Sequence, residues 1–574
     1  MSSRNRDIAR ILGKTEAANP NNTSLKVTGG LTAITVYSSL DSLPTTSLTA
    51  GDQAYVSANS RLYVSNGSGW YNVAIVNATP TLSLSASGTI ALASDGSTTT
   101  VIRLTGTDSD NADANLVYSI ESGGDFFKLA TIVQDSAKQY TITPRTEAAA
   151  TALGFDGSAT ITFKASDGIN VASAVNTFTL TFGPDWSATP TESKLTASDA
   201  TGGDLFGESV SISADGNYAI VGADEEEAGG SNAGAAYIYV RSGSTWTQQQ
   251  KIISSDIAAN DWFGTSVSIS SDGTYAIVGA LETDAGYYGS AYIFTRSGST
   301  WTQQQKITPS DAANSDYFGF SVSISSDGTY AIVGAYSKGT VGAAYIFNRS
   351  GSTWTQQQKI QASDAQQYDL YGYSVSINSD GTYAIVGAVG EDTGASGAGA
   401  AYIITRSGST WTQQQKIQAS NAGGSDAFGR TVSMSADGNY AIVGANAEDG
   451  NGDTITNAGA AYIFSRSGST WTEQALLRAS DATASDTFGE SVSINSDGTY
   501  AIIGAWQSST GGAAYIYGRS GSTWTQERKI TASDAASGDR FGYSVSTSSD
   551  SSYVIAGAYI KNGSAGAAYI YKAS

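Results

Sequence analysis

The chain has 574 residues and a formal net charge of −21, with 65 glycines, 7 prolines, and neither cysteine nor histidine. The two missing residue types exclude disulfides, Cys or His metal sites, and nucleophilic catalysis based on histidine within the chain. An acidic surface disfavours a phosphate backbone as partner, so no nucleic acid is expected. No apolar run has the length of a membrane span, so no membrane insertion is expected.

Residues 1–25 predict a short basic helix followed by a polar linker. The cations of this segment are Arg4, Arg6, Arg10 and Lys14. Two interpretations remain open: a flexible tail, or an anchor that docks into a larger assembly. The segment has no hydrophobic stretch of the kind found in secretory signals.

Residues 26–77 form a β-hairpin pattern with an Asn66-Gly67 turn, and the short strands predict a small β domain that needs a neighbour for stability. The stretch SRNRDIARILGKTE, followed by GDQAYV, RLYV and NGSGWYNVA, resembles the N-terminal parts of virion structural proteins of marine tailed phages, especially those infecting cyanobacteria. The resemblance implies a virion protein that contacts other virion proteins through its N-terminus.

Residues 78–183 contain about seven short predicted strands, which favours an immunoglobulin-like or cadherin-like sandwich. The segments TGTDSDNADANLVYSI and ASDGINVASAVNTFTLTF resemble a cadherin-type domain. Asp108, Asp110 and Asp167 are therefore candidate calcium ligands, although aspartate is also common in turns. Calcium is therefore the one candidate cofactor, and no other cofactor is expected from the sequence.

Residues 184–574 repeat one pattern seven times. Copies of FGESVSISADGNYAIVGA begin 53 to 60 residues apart, at Phe206, Phe263, Phe318, Tyr371, Phe428, Phe488 and Phe541. Within each copy, FGxSVSIS, YAIVGA, AAYIF and WTQQQKI predict four strands, and SDG and RSGST predict tight turns between them. Four antiparallel strands per repeat are typical of a propeller blade, so the chain is predicted to be all-β with a seven-bladed β-propeller.

The last copy ends after its third strand, at AAYIYKAS. The missing strand is predicted before the first copy, where Trp186 and Lys194-Leu195 match the other fourth strands. An N-terminal strand would thus close the ring and remove both free edges. The matched tryptophans are predicted to pack between blades: Trp186, Trp246, Trp301, Trp354, Trp411, Trp471 and Trp524.

The FG and VGA blocks resemble the FG-GAP repeats of bacterial surface proteins and of the integrin α-subunit propeller. The calcium-binding version of that repeat places carboxylates or Asn at four positions of the first turn, where the first copy has Ser211, Ser213, Asp215 and Ala219. One carboxylate is too few for calcium, so these turns are predicted not to bind it tightly. Their aspartates are expected to stabilise the turns: Asp215, Asp272, Asp327, Asp380, Asp437 and Asp497.

The linkers between copies carry a second repeated feature, a pair of aspartates. The pairs are Asp199/Asp204, Asp256/Asp261, Asp311/Asp316, Asp364/Asp369, Asp481/Asp486 and Asp534/Asp539, with Asn421 replacing the first Asp in the fifth linker. They are predicted to cap turns, with cation chelation as the alternative.

The copies differ from one another mainly at one end of the predicted ring, where loops on a rigid scaffold usually bind ligands. The position after the FG glycine should surround the mouth of the central channel: Glu208, Thr265, Phe320, Tyr373, Arg430, Glu490 and Tyr543. Loop aromatics are expected around it: Trp262, Tyr287, Tyr288, Tyr317, Tyr336, Trp506 and Tyr559. Aromatic faces beside charged groups suit sugar rings. The alternative is a channel mouth filled without a ligand.

These features favour a phage virion appendage that is not an enzyme: a tail or neck fibre or capsid-surface protein whose propeller binds a host-surface glycan or protein. A homotrimer is compatible with this interpretation. The first alternative is a bacterial cell-surface or secreted extracellular adhesin. The second is a glycosidase using two carboxylates, Glu208 and Glu490, which lie two blades apart and are predicted to be too distant.

Overall fold

The computed structural model describes residues 35–573 except 57–60, 74–78, 87, 93–99, 109–115, 123–125, 146–156, 168–169, 181–183, 228, 282–287, 450–453 and 509–510. The chain divides into two compact units, 1–182 and 183–574. In the described part of the chain, no helix combines the length and the apolar character that crossing a membrane requires.

The first sheet contains β1 (Thr35–Tyr37), β2 (Ala50–Val56), β3 (Arg61–Asn66) and β4 (Trp70–Val73), in that order. A 3-10 turn, Leu40–Ser42, lies between β1 and β2, and another, Lys338–Thr340, lies in the second unit. Strand β1 is parallel to β2, and the other pairs are antiparallel. The hairpin predicted at Asn66-Gly67 joins β3 to β4. Gly67 has φ 92°, a conformation that glycine adopts without steric cost.

Two further sheets share one core. Their strands are β5 (Thr81–Leu84), β6 (Gly88–Leu92), β7 (Thr100–Thr107), β8 (Val117–Ser122), β9 (Ala130–Ser136), β10 (Gln139–Pro144), β11 (Gly157–Ser166) and β12 (Val171–Leu180), with one helical turn at Phe126–Leu129. The sheet orders are β5-β7-β10-β9 and β6-β12-β11-β8. Ile102 and Tyr140 from one sheet pack with Phe163 from the other. These residues therefore form a two-sheet sandwich.

The second unit contains seven four-stranded sheets, as the repeat predicts. Six of them follow the chain from the innermost to the outermost strand. Their strands are β14 (Val210–Ile212), β15 (Tyr218–Ala223), β16 (Ala235–Ser242), β17 (Thr245–Ile252); β18 (Phe263–Ile269), β19 (Tyr275–Ala280), β20 (Ser290–Ser297), β21 (Thr300–Ile307); β22 (Phe318–Ile324), β23 (Tyr330–Ala335), β24 (Ala343–Ser350), β25 (Thr353–Ile360); β26 (Tyr371–Ile377), β27 (Tyr383–Ala388), β28 (Ala400–Ser407), β29 (Thr410–Ile417); β30 (Thr431–Met434), β31 (Tyr440–Ala445), β32 (Ala460–Ser467), β33 (Thr470–Leu477); β34 (Ser491–Ile494), β35 (Tyr500–Ala505), β36 (Ala513–Ser520) and β37 (Thr523–Ile530).

The seventh sheet combines the two ends of this unit. Strands β38 (Val545–Thr547), β39 (Tyr553–Ala558) and β40 (Ala567–Lys572) are completed by β13 (Thr191–Leu195), which runs antiparallel to β40. A short helical turn, Lys561–Ser564, connects β39 to β40. The buried Trp186 precedes β13 and donates its indole N–H to the Ser551 carbonyl at 3.1 Å.

The middle strands form the cores between sheets. All but the first residue of each YAIVGA segment is buried, because these strands are covered on both faces by neighbouring sheets. The Phe of each FG segment packs edge-to-face on aromatic rings of the third strand, as Phe263 does on Tyr292 and Phe294 at centroid distances of 5.5 and 6.0 Å. Each sheet is thus stabilised mainly by its neighbours in the ring.

Serines of the innermost strands bond one sheet to the next. Ser211 Oγ accepts the Ile269 N–H at 3.3 Å, and Ser323 Oγ accepts the Ile377 N–H at 3.2 Å. Equivalent bonds are made by Ser268, Ser376, Ser433, Ser493 and Ser546. Innermost strands of neighbouring sheets do not pair as a ladder, so these hydroxyls satisfy main-chain N–H groups that need a partner. The alternation SVSIS has this physical basis.

Glutamines of the outermost strands make a second set of bonds. Gln305 donates to the Trp354 carbonyl and accepts the Trp354 N–H, both at 2.8 Å. Gln304 accepts the Trp354 indole N–H at 2.9 Å, and Gln303 bonds Ser255 of the preceding linker. The tryptophans therefore pack, as predicted, and are also held by hydrogen bonds.

Candidate functional site

The seven residues predicted at the channel mouth line one cavity of about 290 Å³ in the second unit: Glu208, Thr265, Phe320, Tyr373, Arg430, Glu490 and Tyr543. The FG glycine before each of them makes this placement possible. Gly319 has φ 96°, and a Cβ on it would lie 2.3 Å from the Ser290 carbonyl oxygen. Only glycine permits so close an approach, and the sharp turn aims the next side chain, Phe320, at the mouth.

Four aromatic rings cluster on one side of the mouth, and we call them the aromatic patch: Tyr317, Phe320, Tyr336 and Tyr373. Tyr317 and Tyr336 are stacked with centroids 5.4 Å apart. Phe320 lies 4.7 Å from Tyr336 and 4.8 Å from Tyr373. The patch offers a ring-shaped apolar ligand several faces within one small area.

A second aromatic group lies at Trp506, Tyr543 and Tyr559. Tyr543 is 4.6 Å from Tyr559 and 6.2 Å from Trp506. The Arg540 guanidinium lies 4.7 Å from the Trp506 centroid and donates a hydrogen bond to the Tyr559 hydroxyl. A cation over aromatic faces holds these rings in place.

Arg430 and Glu490 form an ion pair between the two aromatic groups. Arg430 Nη2 lies 2.7 Å from Glu490 Oε1, and Asn446 donates to Glu490 Oε2 at 2.6 Å. Arg430 also donates to the Tyr373 hydroxyl. Burial acts to lower the pKa of Arg430, but the Glu490 carboxylate outweighs it and raises that pKa above its ordinary value. Glu490 is thus a neutralised, fully bonded carboxylate.

Glu208 has a different environment. Its neighbour is a second carboxyl group, Asp224, and burial followed by the charge of Asp224 raises the pKa of Glu208 well above its usual range. Burial also raises the pKa of Asp224, although hydrogen bonds from Glu208 and Thr265 act in the opposite direction. The Thr265 hydroxyl donates to Asp224 Oδ2 at 3.0 Å. Two adjacent buried carboxyl groups resist ionising together.

The carboxylates proposed for a glycosidase are therefore in unlike settings. Glu490 is bound to Arg430, and Glu208 is paired with Asp224. Tyr543 lines the same cavity, and burial followed by the charges of Glu208 and Glu490 raises its pKa. The arrangement favours ligand contact over acid–base chemistry between these two groups.

Sequence reasoning missed three residues at the mouth: Asp224, Asn446 and Arg540. Asp224 and Asn446 directly follow the Gly-Ala that ends the second strand of every repeat. At this position other copies have Tyr336, Trp506 and Tyr559. Comparing all seven copies at that position would have identified them. Arg540 precedes an FG segment, where other copies have Trp262 or Tyr317.

None of the described loop aromatics is itself part of the cavity lining, but Tyr336, Trp506 and Tyr559 contact rings that are. Trp262 and Tyr288 are half-buried, whereas Tyr287 lies outside the described residues. In the first unit, Asp167 accepts the Asn170 N–H at 2.7 Å, and Asp108 is also described. Asp110 and the N-terminal cations Arg4, Arg6, Arg10 and Lys14 lie outside the described residues. No group of three or more Asp or Glu side chains placed to hold a metal occurs within the described ranges.

The aspartates of the first turns bond the turns themselves. Asp215 accepts from the Ser213 hydroxyl at 2.6 Å and from the Asn217 N–H at 2.9 Å. The same arrangement recurs at Asp272, Asp327, Asp437 and Asp550. These oxygens serve the turn, as the sequence predicts.

The two aspartates of each linker pair have different roles. The second aspartate caps a turn, as Asp369 does by accepting the Gln366 N–H at 2.7 Å. The first binds the outermost strand instead: Asp364 lies 2.8 Å from Lys416 Nζ and accepts from the Tyr402 hydroxyl at 3.0 Å. The capping prediction thus describes only the second member of each pair.

The fifth repeat alters both partners of that ion pair. Asn421 replaces the aspartate, and Leu476 stands where the lysine occurs in other sheets. The Tyr462 hydroxyl still donates to Asn421, at 2.8 Å. Loss of both charges together avoids leaving one of them unpaired.

Comparison with known proteins identifies the repeat. The FG-GAP repeat matches residues 190–239, 246–294, 301–347, 354–404, 411–464, 471–517 and 524–571, more than half of the chain. No curated protein matches the chain.

Similar solved structures include the periplasmic gluconolactonase PpgL of Pseudomonas aeruginosa, with 14% identity, a TM-score of 0.41, and coverage of 67% of this chain and 94% of that one. The RRP9 WD40 repeats have 10% identity, a TM-score of 0.42, and coverage of 68% and 99%. A putative 6-phosphogluconolactonase of Bacteroides fragilis has 12% identity, a TM-score of 0.40, and coverage of 66% and 91%.

Proposed function

The chain belongs to the FG-GAP repeat family, and we propose that its propeller is a non-enzymatic binding module whose channel mouth recognises a host-surface glycan. The observation that supports this is the cavity lined by all seven repeat-variable residues. Identical framework positions build the ring, and the sequence differences collect where a ligand would lie.

The chemistry of the mouth suits a carbohydrate. Sugar rings have apolar C–H faces that stack on aromatic side chains, and hydroxyls that bond charged and polar groups. The aromatic patch offers the stacking faces, and the Arg430–Glu490 pair with Asn446 offers donors and acceptors on the adjoining side.

We further propose that the protein is a virion appendage, attached through residues 1–25 to other virion proteins. Support comes from the resemblance of the N-terminal 75 or so residues to virion proteins of marine tailed phages. We also propose that the sandwich of β5–β12 is of the immunoglobulin or cadherin type, and that the β13–β40 pairing closes the propeller ring.

Glycan binding is tested by screening the full-length protein against host-surface polysaccharides and a glycan array. Tyr336→Ala removes the central ring of the aromatic patch and should lower affinity about fivefold to tenfold, since aromatic stacking contributes about 1–1.5 kcal/mol. Tyr368→Ala is the matched control, because Tyr368 is 65% exposed and, among the described residues, makes no ring contact with the aromatic patch, whereas Tyr336 contacts its other three rings. Equal binding by both variants, or no glycan binding at all, would refute this site.

The virion assignment is tested by immunogold labelling of particles from the source of the protein. Label on a fibre or tail end supports host recognition. Label spread over the capsid makes the propeller a structural or decorating module. Absence of label from particles, with label on bacterial surfaces, would replace this assignment by the adhesin alternative.

A further inference from the structure

Buried glutamates in the propeller are bound to cationic side chains. Glu226 lies 2.7 Å from Lys251, and Glu391 lies 2.7 Å from Lys416. Glu448 is paired with Arg478, and Glu490 with Arg430. A buried carboxylate is costly without such a partner, so these pairings are what electrostatics requires.

Asp224 and Glu208 depart from this rule. Asp224 is 1% exposed, yet among the residues that the structure describes it forms no ion pair with lysine or arginine. Its Oδ1 and the Oε2 of Glu208 are buried and have no hydrogen-bond partner among those residues. Arg540, whose charge acts on Glu208, lies over Trp506 and bonds Tyr559 instead. Two carboxyl groups therefore meet at the mouth without a neutralising side chain.

We propose that Glu208, Asp224 and the Thr265 hydroxyl hold a hard divalent cation, calcium or magnesium, at the edge of the channel mouth. These three side chains supply only oxygen ligands, the type that both ions prefer. The Thr265 hydrogen points to Asp224 Oδ2, which leaves the lone pairs of its oxygen available to a cation. This inference rests on the proposed function, because it makes the cation part of the same site.

The three side chains do not fill the coordination sphere of either ion. Calcium takes six to eight oxygens, and magnesium six. Glu208 and Thr265 both line the cavity, so the open positions would face it and be taken by water or by ligand hydroxyls. Vicinal hydroxyls of a sugar are suitable oxygen ligands, and the cation would thereby add to the specificity of the mouth.

A shared proton is the competing way to neutralise the pair. A divalent cation that replaces it converts the pair to two carboxylates and releases one proton to solvent. Cation binding should therefore tighten as pH rises.

Terbium luminescence tests the site in the full-length protein without any glycan. Tb³⁺ is a hard, oxygen-seeking ion that emits strongly when nearby aromatic rings transfer energy to it, and Tyr543 lines the same cavity as Glu208 and Thr265. We expect sensitised emission from one tight site, competition by Ca²⁺ or Mg²⁺, and release of about one proton per ion. The competing ion identifies which cation the site prefers.

Glu208→Gln and Asp224→Asn should each weaken Tb³⁺ binding about tenfold or more, because each removes one of two anionic ligands. Asp215→Asn, in the first turn of the same sheet, removes one charge from a bonded turn and should bind as wild type. Thr265→Val keeps both carboxyl groups and should weaken binding less. Thr265→Val is the variant to use if thermal melting shows that Glu208→Gln or Asp224→Asn does not fold.

Absence of sensitised emission would overturn the proposal, and so would equal binding by wild type, Glu208→Gln and Asp224→Asn. Proton uptake and release by the pair with no response to Ca²⁺ or Mg²⁺ would show that a proton alone neutralises it. Glycan binding that persists in EDTA would exclude the cation from recognition while leaving the proposed function intact. Loss of glycan binding in Tyr336→Ala with unchanged Tb³⁺ binding would support a cation held by Glu208, Asp224 and Thr265 without help from the aromatic patch.

Discussion

Replacement of Gln305 by Ala should destabilise the propeller by about 1–3 kcal/mol. This glutamine makes two hydrogen bonds of 2.8 Å with the main chain of Trp354 in the next sheet. Each bond contributes about 0.5–1.5 kcal/mol, and the alanine leaves one N–H and one carbonyl of the neighbouring strand without that partner. The effect should appear as a lower urea midpoint in a transition followed by tryptophan fluorescence.

Gln305→Glu is the matched comparison. A carboxylate accepts the Trp354 N–H but has no N–H to donate to the Trp354 carbonyl. At neutral pH, Gln305→Glu should therefore destabilise the propeller about half as much as Gln305→Ala. The fifth sheet has Ala475 at the equivalent position, which shows that the ring accepts one such interruption. A midpoint within error of wild type for Gln305→Ala would refute the view that these side chains join the sheets.

Three other changes test separate parts of the molecule. Gly319→Ala should destabilise by more than about 1 kcal/mol, because φ 96° and a carbonyl oxygen 2.3 Å from the new Cβ oppose it; a wild-type melting temperature would contradict this. Asn421→Asp should destabilise the fifth sheet and Leu476→Lys should restore it, so additive effects in a double-mutant cycle would contradict the proposed compensation. Burial opposes ionisation of Asp534, but its lysine partner on β13 lowers its pKa to about 2, so the stability it adds should be present above about pH 4 and lost as pH falls towards 2. Asp534→Asn should flatten the melting temperature across that range, and an unchanged acid profile would count against the pair.

Sequence reasoning predicted the seven sheets because each repeat carries strands, turns and glycines in one order. The channel mouth could be predicted for the same reason. The position after the FG glycine has the same structural environment in every repeat, so differences in residue type at that position are easily recognised. Glu208 and Tyr373 were named on that basis and line the cavity.

Features that depend on contacts between repeats could not be predicted from the sequence. The sequence predicted WTQQQKI only as the fourth strand of each repeat, yet Gln305 bonds the main chain of the neighbouring sheet, because only the folded protein brings strands of neighbouring sheets together. Asp224 was missed because its partner, Glu208, lies 16 residues earlier in the chain and meets it only after folding. The linker aspartates were given one role, although only the second member of each pair caps a turn.

The pairing of β13 with β40 determines how this unit would respond to mechanical load. A pull on the chain ahead of β13 reaches the propeller first at Trp186, which is buried and bonded to Ser551. Beyond it, the force meets five residue pairs between β13 and β40 and the ion pair of Lys194 with Asp534. The strand that completes the seventh sheet is therefore also the first strand of the propeller to bear the load, and rupture would begin with its pairing to β40.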